Sequence, residues 1–532
     1  MNPMFLIYKK YAKRVTLILT LLLLMIFSGC SIEHTTDEEM PVNQLQELIE
    51  TEFVLDDNIS VLPTEEQQQA LLPLEEPSEV ETQEPLEEPT EELVQAPVEE
   101  IQPETLPIVT EEPKPETQPR EPVALTMETL LEDFDYLALT LKESFPFFGT
   151  ARRKFGLDLQ QQINTARVAV QKLNTAGNPN QILRGYADIL AKYIVTPMRT
   201  MGHMIGLWAG TSAYNTQLAL IKWDDTFEIP WYPNLYANHL LDIFTSPTAI
   251  RYYGNVLESM DVNSYIQANL LTPVANNVTF RILQPDSIAY IKINSMNSAN
   301  FSSDGELIAA FGETIGNFDH LIVDLRGNQG GYAGNFTEHI IAPLIDKPVS
   351  LYYYVFFMGG QHSVMFDNIY SRDLQWQISN GLVLHIDAPR FLASDVLPYL
   401  PHANAADFAG LTYGFKREIT VNPSANRWAF KGKVWILIDR RAYSAAEISA
   451  AIAKESGFAT LVGDSTFGSF GGYTAAFISL PNTGVIIRYD YGYATDLEGR
   501  SLEEFGITPH ITNRPGMDAL QTTLALIAEE TQ

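Results

Sequence analysis

The sequence of 532 residues contains a single cysteine, Cys30. Without a second thiol, no disulfide can form within the chain. Basic residues are also scarce, 34 against 66 acidic ones, for a formal net charge of −32. The phosphate backbone would repel such a chain, and no basic patch interleaved with aromatic residues is present, so nucleic acid is excluded as a partner.

Patterns for metal and phosphate binding are missing as well. The nine histidines are scattered without ligand spacing, and no His-x-x-x-His pair occurs. The glycine-rich stretch near residue 330 lacks the Gly-Lys-Ser/Thr ending of a phosphate loop. We therefore predict neither a metal site nor a cofactor.

The most apolar segment lies near the N-terminus, at residues 15–27, directly after a basic cluster. Its 13 residues fall short of the roughly 20 that a membrane-spanning helix needs. A basic start, a short apolar run and a small-residue ending are typical of a secretory signal, so we assign residues 1–30 to a signal peptide.

That segment ends in Ser28-Gly29-Cys30. The placement of Cys30 resembles the lipobox of bacterial lipoproteins, in which the cysteine is lipidated and becomes the new N-terminus. The resemblance implies an extracytoplasmic protein, anchored to the bacterial cell membrane by a lipid on Cys30. Simple secretion is the alternative.

Residues 31–122 hold 27 of the acidic residues against two basic ones, and they repeat the tripeptide Glu-Glu-Pro. Such a segment cannot bury enough apolar surface to fold, so we predict a disordered acidic linker. A binding segment for a basic partner is the alternative for this stretch.

Periodicity divides the remainder into three parts. Residues 123–209 carry apolar positions at helical spacing and are predicted to form a helical N-terminal domain. Residues 210–278 are rich in Trp, Tyr, Asn and Pro, contain no recognisable PDZ domain and stay unassigned. Residues 279–532 alternate short apolar strands with helices and end in a predicted helix at 517–529, which indicates an α/β domain. The predicted strands lie at 288–293, 321–323, 351–357, 434–438, 461–462 and 485–487.

One predicted strand, 434–438, leads into the segment Ser444-Ala445-x-Glu447, which opens a helix. A serine at a strand-to-helix turn has its hydroxyl beside free backbone N–H groups, which suits a nucleophile and its oxyanion. Ser-x-x-Glu before a helix is also a capping box, in which Ser444 caps and Glu447 reaches back. On this segment alone, the capping box is the favoured interpretation.

A second strand leads into Asp324-x-Arg326-x-Asn328-x-Gly330-Gly331. Paired glycines let the backbone approach a substrate and point N–H groups at a developing oxyanion. Asp324 and Arg326 are interpreted as a structural pair that supports the turn.

Together with the loop Thr466-Phe-Gly468, these segments resemble the serine peptidase family of the C-terminal processing (tail-specific) proteases, the tricorn core protease and the retinoid-binding repeats. The resemblance spans about residues 125–515. It implies a crotonase-like (ClpP/crotonase) α/β core with Ser444 as nucleophile. It also implies an oxyanion hole made by the N–H of Ala445 and that of Gly330 or Gly331.

The general base differs between branches of this family. The tail-specific branch has a lysine 25 residues after the nucleophile, where this chain has Ser469. Lys454 lies about 15 Å along the helix from Ser444, too far for proton transfer. Resemblance to the tricorn-like branch implies His203 as base and Glu503 as supporting carboxylate, with Glu504 competing for that role.

The expected function is therefore that of an extracytoplasmic serine endopeptidase that cleaves polypeptides through an acyl-enzyme on Ser444. The alternative is a catalytically inactive family member that binds an apolar ligand or peptide in the same cleft. The sequence determines neither the natural substrate nor the oligomeric state.

Overall fold

The computed structural model describes residues 123–199, 201–222, 234–269, 271–379, 385–387 and 389–530. The predicted signal peptide, Cys30 and the acidic linker lie outside these residues. Among the described helices, none is both long and apolar enough to cross a membrane. The described chain is a mixed α/β structure.

Helices dominate the described residues before 270. Their bounds are Met127–Ser144, Phe148–Phe155, Leu159–Gln171, Pro179–Leu190, Ser212–Lys222, Asn234–Phe244, Pro247–Tyr253, Val256–Ser259 and Val262–Asn269. Later helices of four or more residues are Phe301–Thr314, Gln361–Ser379, Ala393–Val396, Ala405–Phe408, Ala445–Glu455, Leu502–Phe505 and Ala519–Glu530.

The strands of the described residues form three sheets. In chain order they are β1 Ile205–Leu207, β2 Val278–Gln284, β3 Ile288–Ile293, β4 His320–Asp324, β5 Val349–Phe357, β6 His385–Asp387, β7 Phe391–Leu392, β8 Tyr413–Val421, β9 Lys433–Ile438, β10 Thr460–Gly463, β11 Ala475–Ser479, β12 Ile486–Asp490, β13 Gly492–Thr495 and β14 Ile511–Thr512. The sheet orders are β14-β10-β9-β4-β3-β2, β13-β5-β8-β6 and β1-β12-β11, with β7 pairing β8.

The six-stranded sheet is parallel from β14 to β3, and β2 runs antiparallel at its edge. Its middle strands read as continuous apolar runs because helices cover both faces. The helix Ala445–Glu455 belongs to the core that contains Ile436 and Ile438. The helix Ala519–Glu530 packs in a second cluster with Trp435 and Leu437. The turn after β9 therefore emerges from a rigid, doubly covered strand.

The region predicted to form a helical N-terminal domain, 123–209, also contains a short strand. Strand β1 pairs antiparallel with β12, so that Ile205 faces Arg488. Strand β12 also extends to Asp490, beyond the predicted strand at 485–487. Continued by two residues, the β1–β12 register places His203 opposite Asp490. The helical region thereby delivers a histidine to the edge of a distant strand.

The final helix begins at Ala519 and not at residue 517 as predicted. Oδ1 of Asp518 accepts a hydrogen bond from the N–H of Gln521, at 2.8 Å, and so caps the helix. In the unassigned region, the described residues between 212 and 269 form five helices. These helices pack through aromatic contacts such as Tyr214 on Tyr253, whose ring centroids are 3.8 Å apart.

Candidate active site

Ser444 lies at the turn between β9 and the helix Ala445–Glu455, with φ 59° and ψ −128°. An N-cap residue normally has extended backbone dihedrals, so a simple cap does not require this conformation. A non-glycine residue held there carries strain of about 1–3 kcal/mol, and such strain is typical of a serine nucleophile on a sharp strand-to-helix turn. The N–H of Ser444 donates to the carbonyl of Ser469, at 2.9 Å, which fixes the turn against the loop at 464–472.

Glu447 is fully buried under this turn. Its carboxylate accepts hydrogen bonds from the N–H groups of Gly468 and Ser469, both at 2.8 Å, and from Oγ1 of Thr466. It also reaches back to the N–H of Ser444, at 3.3 Å, as in a capping box. Burial raises the pKa of Glu447, while these hydrogen bonds lower it. The capping arrangement is thus present, but the shorter hydrogen bonds hold the loop at 466–469.

The glycine pair lies directly against Ser444. A Cβ added to Gly330 would be 2.7 Å from the backbone nitrogen of Ala445. The N–H of Gly330 donates to Oδ1 of Asn328, at 2.8 Å, so Asn328 shapes this turn. Among the described residues, neither Ala445 nor Gly331 donates its N–H to an acceptor. The geometry therefore favours Gly331 over Gly330 as the partner of Ala445.

Asp324 and Arg326 form a buried pair behind this turn. Nε and Nη2 of Arg326 donate to the Asp324 carboxylate, at 2.9 and 2.7 Å. The hydroxyl of Tyr290 donates to the same carboxylate, at 2.7 Å. The pair lies at the end of β4, where it can fix the start of the glycine turn.

His203 is brought to the site by strand β1. Its Nδ1 lies 2.7 Å from Oδ2 of Asp490, and the N–H of Asp490 donates to the carbonyl of Gly202, at 2.6 Å. The ring also lies against Gly471, where an added Cβ would be 2.8 Å from Cε1 of His203. Since the loop from Ser469 to Gly471 also binds Ser444, one loop contacts both the serine turn and the imidazole.

The pKa of His203 reflects two opposed effects. Burial lowers it, but the charge of Asp490 and the hydrogen bond to its carboxylate raise it by more, so the pKa lies above its ordinary value. Because a carboxylate can only accept, we assign the proton to Nδ1, which leaves Nε2 as the acceptor. That tautomer is the one a general base needs.

Asp490 was not predicted from the sequence. The available signal was an acidic side chain at the end of a largely buried strand, where an ionised group needs a partner. Arg488 of the same strand lies 4.0 Å from the Asp490 carboxylate. The β1–β12 register, which joins residues nearly 290 apart in the chain, adds His203 as a hydrogen-bond partner.

Glu503 contacts the backbone beside the imidazole and not the ring itself. Its carboxylate accepts from the N–H of Gly202, at 2.5 Å, and from the N–H of Phe470, at 3.2 Å. Burial raises its pKa to about 7, against the lowering effect of His203. Glu504 instead binds Arg153, at 2.6 Å, so only Glu503 lies within the site.

Ser469, which occupies the position of the tail-specific lysine, and Lys454, the nearby lysine considered as base, both have other contacts. Ser469 occupies the expected position in the loop and is held there through its N–H and carbonyl. Nζ of Lys454 donates to Oγ1 of Thr508, at 2.9 Å. Among the described residues, no group of three or more His, Cys, Asp and Glu side chains could hold a metal ion.

Replacing Gly330 with alanine tests the contact between the glycine pair and the serine turn. Gly330 has φ 82°, and an added Cβ would meet the carbonyl of Tyr443 and the nitrogen of Ala445, both at 2.7 Å. We expect Gly330→Ala to lower the free energy of unfolding by roughly 3 kcal/mol through strain and overpacking. Denaturant unfolding monitored by circular dichroism measures this loss.

Gly210→Ala is the matched control. Gly210 has φ 79°, yet an added Cβ would meet nothing within 4 Å. The Gly210→Ala variant should therefore lose only the part of the unfolding free energy that comes from backbone strain, about 1 kcal/mol. Equal losses in the two variants would contradict the close packing of Gly330 on the nucleophile turn.

The sequence was compared with models of known protein families. Residues 287–513 match the model of peptidase family S41. This match supports a serine peptidase. The matched segment includes both glycines of the pair and Ser444, Asp490 and Glu503, whereas His203 precedes it.

Solved structures give more distant likenesses to this chain. Mature CPAF complexed with lactacystin is 14% identical, with 76% of this chain and 97% of that chain covered and a TM-score of 0.40. The photosystem II D1 C-terminal processing protease is also 14% identical, with 74% and 94% covered and a TM-score of 0.32. A lipoprotein from Streptococcus agalactiae is 11% identical, with 76% and 96% covered and a TM-score of 0.36. No curated protein sequence matches, and TM-scores this low support no further conclusion.

Proposed function

We propose that this serine peptidase is an extracytoplasmic endopeptidase that uses Ser444 as nucleophile and His203 as general base. The observation that carries the proposal is the shared loop: Ser469 accepts the N–H of Ser444, and Gly471 lies against the His203 ring. Asp490 holds Nδ1 of that ring and directs Nε2 away from itself. A strained serine and an oriented imidazole, both in contact with one loop, are the parts of a serine-histidine peptidase.

In the proposed reaction, Nε2 of His203 takes the proton of the Ser444 hydroxyl as Oγ attacks the scissile carbonyl. The C–N bond then breaks, the imidazolium gives its proton to the leaving amine, and an acyl ester remains on Ser444. Water attacks the ester, with His203 again taking and returning the proton, and releases the acid.

The oxyanion of each tetrahedral intermediate is assigned to the N–H groups of Ala445 and Gly331. Ala445 begins the helix that follows the nucleophile, so its N–H also lies at the positive end of the helix dipole. Donors already fixed before reaction stabilise charge that develops only in the transition state.

Asp490 and Glu503 are given different positioning roles. Asp490 fixes the tautomer of His203 and stabilises the imidazolium. Glu503 holds the backbone of Gly202 and Phe470, the segments before the histidine and within the loop. This division modifies the sequence-based hypothesis, in which Glu503 alone supported His203.

The remaining features of the proposal concern architecture and location. We assign the parallel sheet to a crotonase-like core and the histidine-using site to the tricorn-like branch of the family. The apolar run at residues 15–27 and Cys30 support lipid anchoring at the outer face of a bacterial membrane, with residues 31–122 as an acidic linker. The substrate is a polypeptide.

The alternative of an inactive binding protein is favoured by one feature, the serine at position 469 in place of the lysine. A cleft that binds an apolar ligand without chemistry does not require the strain at Ser444 or the Asp490–His203 pair. The two functions therefore differ in whether Ser444 reacts.

Reaction of the wild-type protein with a fluorophosphonate probe tests the proposed function. The native protein should gain the mass of one probe, and peptide mapping should place the adduct on Ser444, with none after heat denaturation. Absence of an adduct on the folded protein, or an adduct on another serine, would contradict the proposal. Saturable binding of an apolar ligand without an adduct would support the alternative.

A further inference from the structure

Lys154 lies at the end of the helix Phe148–Phe155, and its ammonium points into the catalytic region. Nζ donates to the carbonyls of Phe467, Gly468 and Glu503, at 2.6, 2.7 and 2.8 Å. An ammonium has three N–H donors, so all three are used. A base needs a free electron pair, which excludes Lys154 as the general base in this arrangement.

The surroundings of the ammonium are shaped for a cation. Nζ lies 4.3 Å from the centre of the Phe467 ring, within the range of a cation–π interaction. A Cβ added to Gly468 would be 2.8 Å from Nζ and 2.6 Å from the carbonyl of Glu503. Glycine at 468 therefore allows the lysine and the two backbone segments to meet.

Charges of the site also favour a cation here. Burial lowers the pKa of Lys154 below its ordinary value, although Glu503, Glu447 and Glu504 oppose that effect. The ammonium in turn lowers the pKa values of Glu503 and Glu447. Lys154 therefore affects the protonation of the two buried carboxylates that hold the loop.

Both segments that Lys154 binds lead directly to the site. Gly468 precedes Ser469, whose carbonyl accepts the N–H of Ser444. Glu503 holds Gly202, the residue before the proposed base. One side chain from the helical region thus joins the loop behind the nucleophile to the carboxylate behind the histidine.

We propose that Lys154 is a positioning residue for this peptidase, a cation supplied by the helical N-terminal region that fixes the loop at 467–469 and Glu503 in their active arrangement. The inference rests on the proposed function. It gives the helical region a second role, besides delivery of His203.

Substitution of Lys154, followed by the rate of fluorophosphonate labelling across pH, tests the inference. Lys154→Met should lower the labelling rate at least tenfold at neutral pH. The acid limb of the plot of labelling rate against pH should move to higher pH, because Glu503 loses the cation that lowers its pKa. Glu503 faces His203, Asp490 and Lys154. Lys154→Arg keeps the charge, so its acid limb should have the wild-type midpoint pH and its labelling rate should be close to that of the wild type.

Two further variants separate this role from a loss of folding. Lys154→Gln can still donate to carbonyls but is neutral, so it should fold and still show the upward shift of the acid limb. Lys142→Met removes an exposed lysine from the helix Met127–Ser144 and should match the wild type in rate and midpoint. Melting curves of every variant establish that the compared proteins are folded.

The possible outcomes are distinct. A wild-type rate and midpoint in folded Lys154→Met or Lys154→Gln would overturn the inference and leave the proposed function standing. A lower labelling rate without a shift in the midpoint pH of the acid limb would show that Lys154 is only a structural contact, and would overturn its proposed role. Absence of labelling in the wild type would contradict the proposed function and the inference together.

Discussion

Replacing Ser444 with alanine should abolish fluorophosphonate labelling and lower the rate of peptide hydrolysis by roughly 10⁴- to 10⁶-fold. The loss follows because the acyl-enzyme route disappears and only binding and the oxyanion donors remain. The helix itself should survive, because the Glu447 carboxylate keeps its hydrogen bonds to the loop. Rates of labelling and of casein hydrolysis measure the effect, and circular dichroism establishes the fold.

The same experiment tests whether Ser444 and His203 act as one unit. His203→Ala should lower the rate of hydrolysis about as much as Ser444→Ala. The double variant should be little slower than either single variant, because neither residue can act in the reaction without the other. Ser456→Ala is the control: its hydroxyl donates to the carbonyl of Ile452 at the far end of the same helix. Losses that add up in the double variant, or labelling that persists in Ser444→Ala, would contradict the assignment.

The parts of the fold predicted best are those determined by local pattern. Strands β3, β4 and β9 are buried on both faces, so their sequences are continuous apolar runs that end at polar turns. The glycine pair and Ser444 follow two of these strands directly, and adjacent parallel strands place both turns at the same edge of the sheet. The sequence therefore predicts that Gly330 and Ser444 lie near each other, but not the distance between them.

Other parts depend on contacts that the sequence does not display. The middle region is helical where it is described, but its helices are short and their aromatic residues pack across helices, which hides helical periodicity. Lys154 was missed because a single lysine at a helix end normally indicates a solvated position. Its three carbonyl acceptors come from a loop and a short helix more than 300 residues away.

Asp490 is the clearest example of a functional residue hidden from the sequence. Resemblance to the family directed attention to Glu503 as the carboxylate behind His203. The antiparallel pairing of β1 with β12 instead places Asp490 against Nδ1 of the imidazole. A three-residue strand at the end of a region with helical periodicity carries too little pattern to be recognised, and its partner is known only from the folded structure.

Replacing Asp490 with asparagine should lower kcat/KM by about 10³- to 10⁴-fold while leaving the fold intact. Asparagine has the same shape, and the backbone N–H still donates to Gly202. Its amide, however, can donate to Nδ1 of His203, which favours the tautomer with the proton on Nε2. That tautomer cannot accept the proton of Ser444.

The pH dependence of the remaining activity separates this effect from a general loss of structure. Asp490 raises the pKa of His203, so its removal should lower that pKa and move the acid limb of kcat/KM to lower pH. The shift is opposite to the one expected for Lys154→Met. Hydrolysis of a peptide substrate measured across pH gives both the size of the loss and the direction of the shift.

Asp286→Asn is the matched control for this substitution. Asp286 is exposed, has φ 53°, a conformation that asparagine tolerates, and lies in the turn between β2 and β3. It should retain wild-type kcat/KM and the wild-type acid limb. A folded Asp490→Asn variant with activity within tenfold of the wild type would show that His203 needs no carboxylate on Nδ1, and Glu503 would then be the only carboxylate left to support the base.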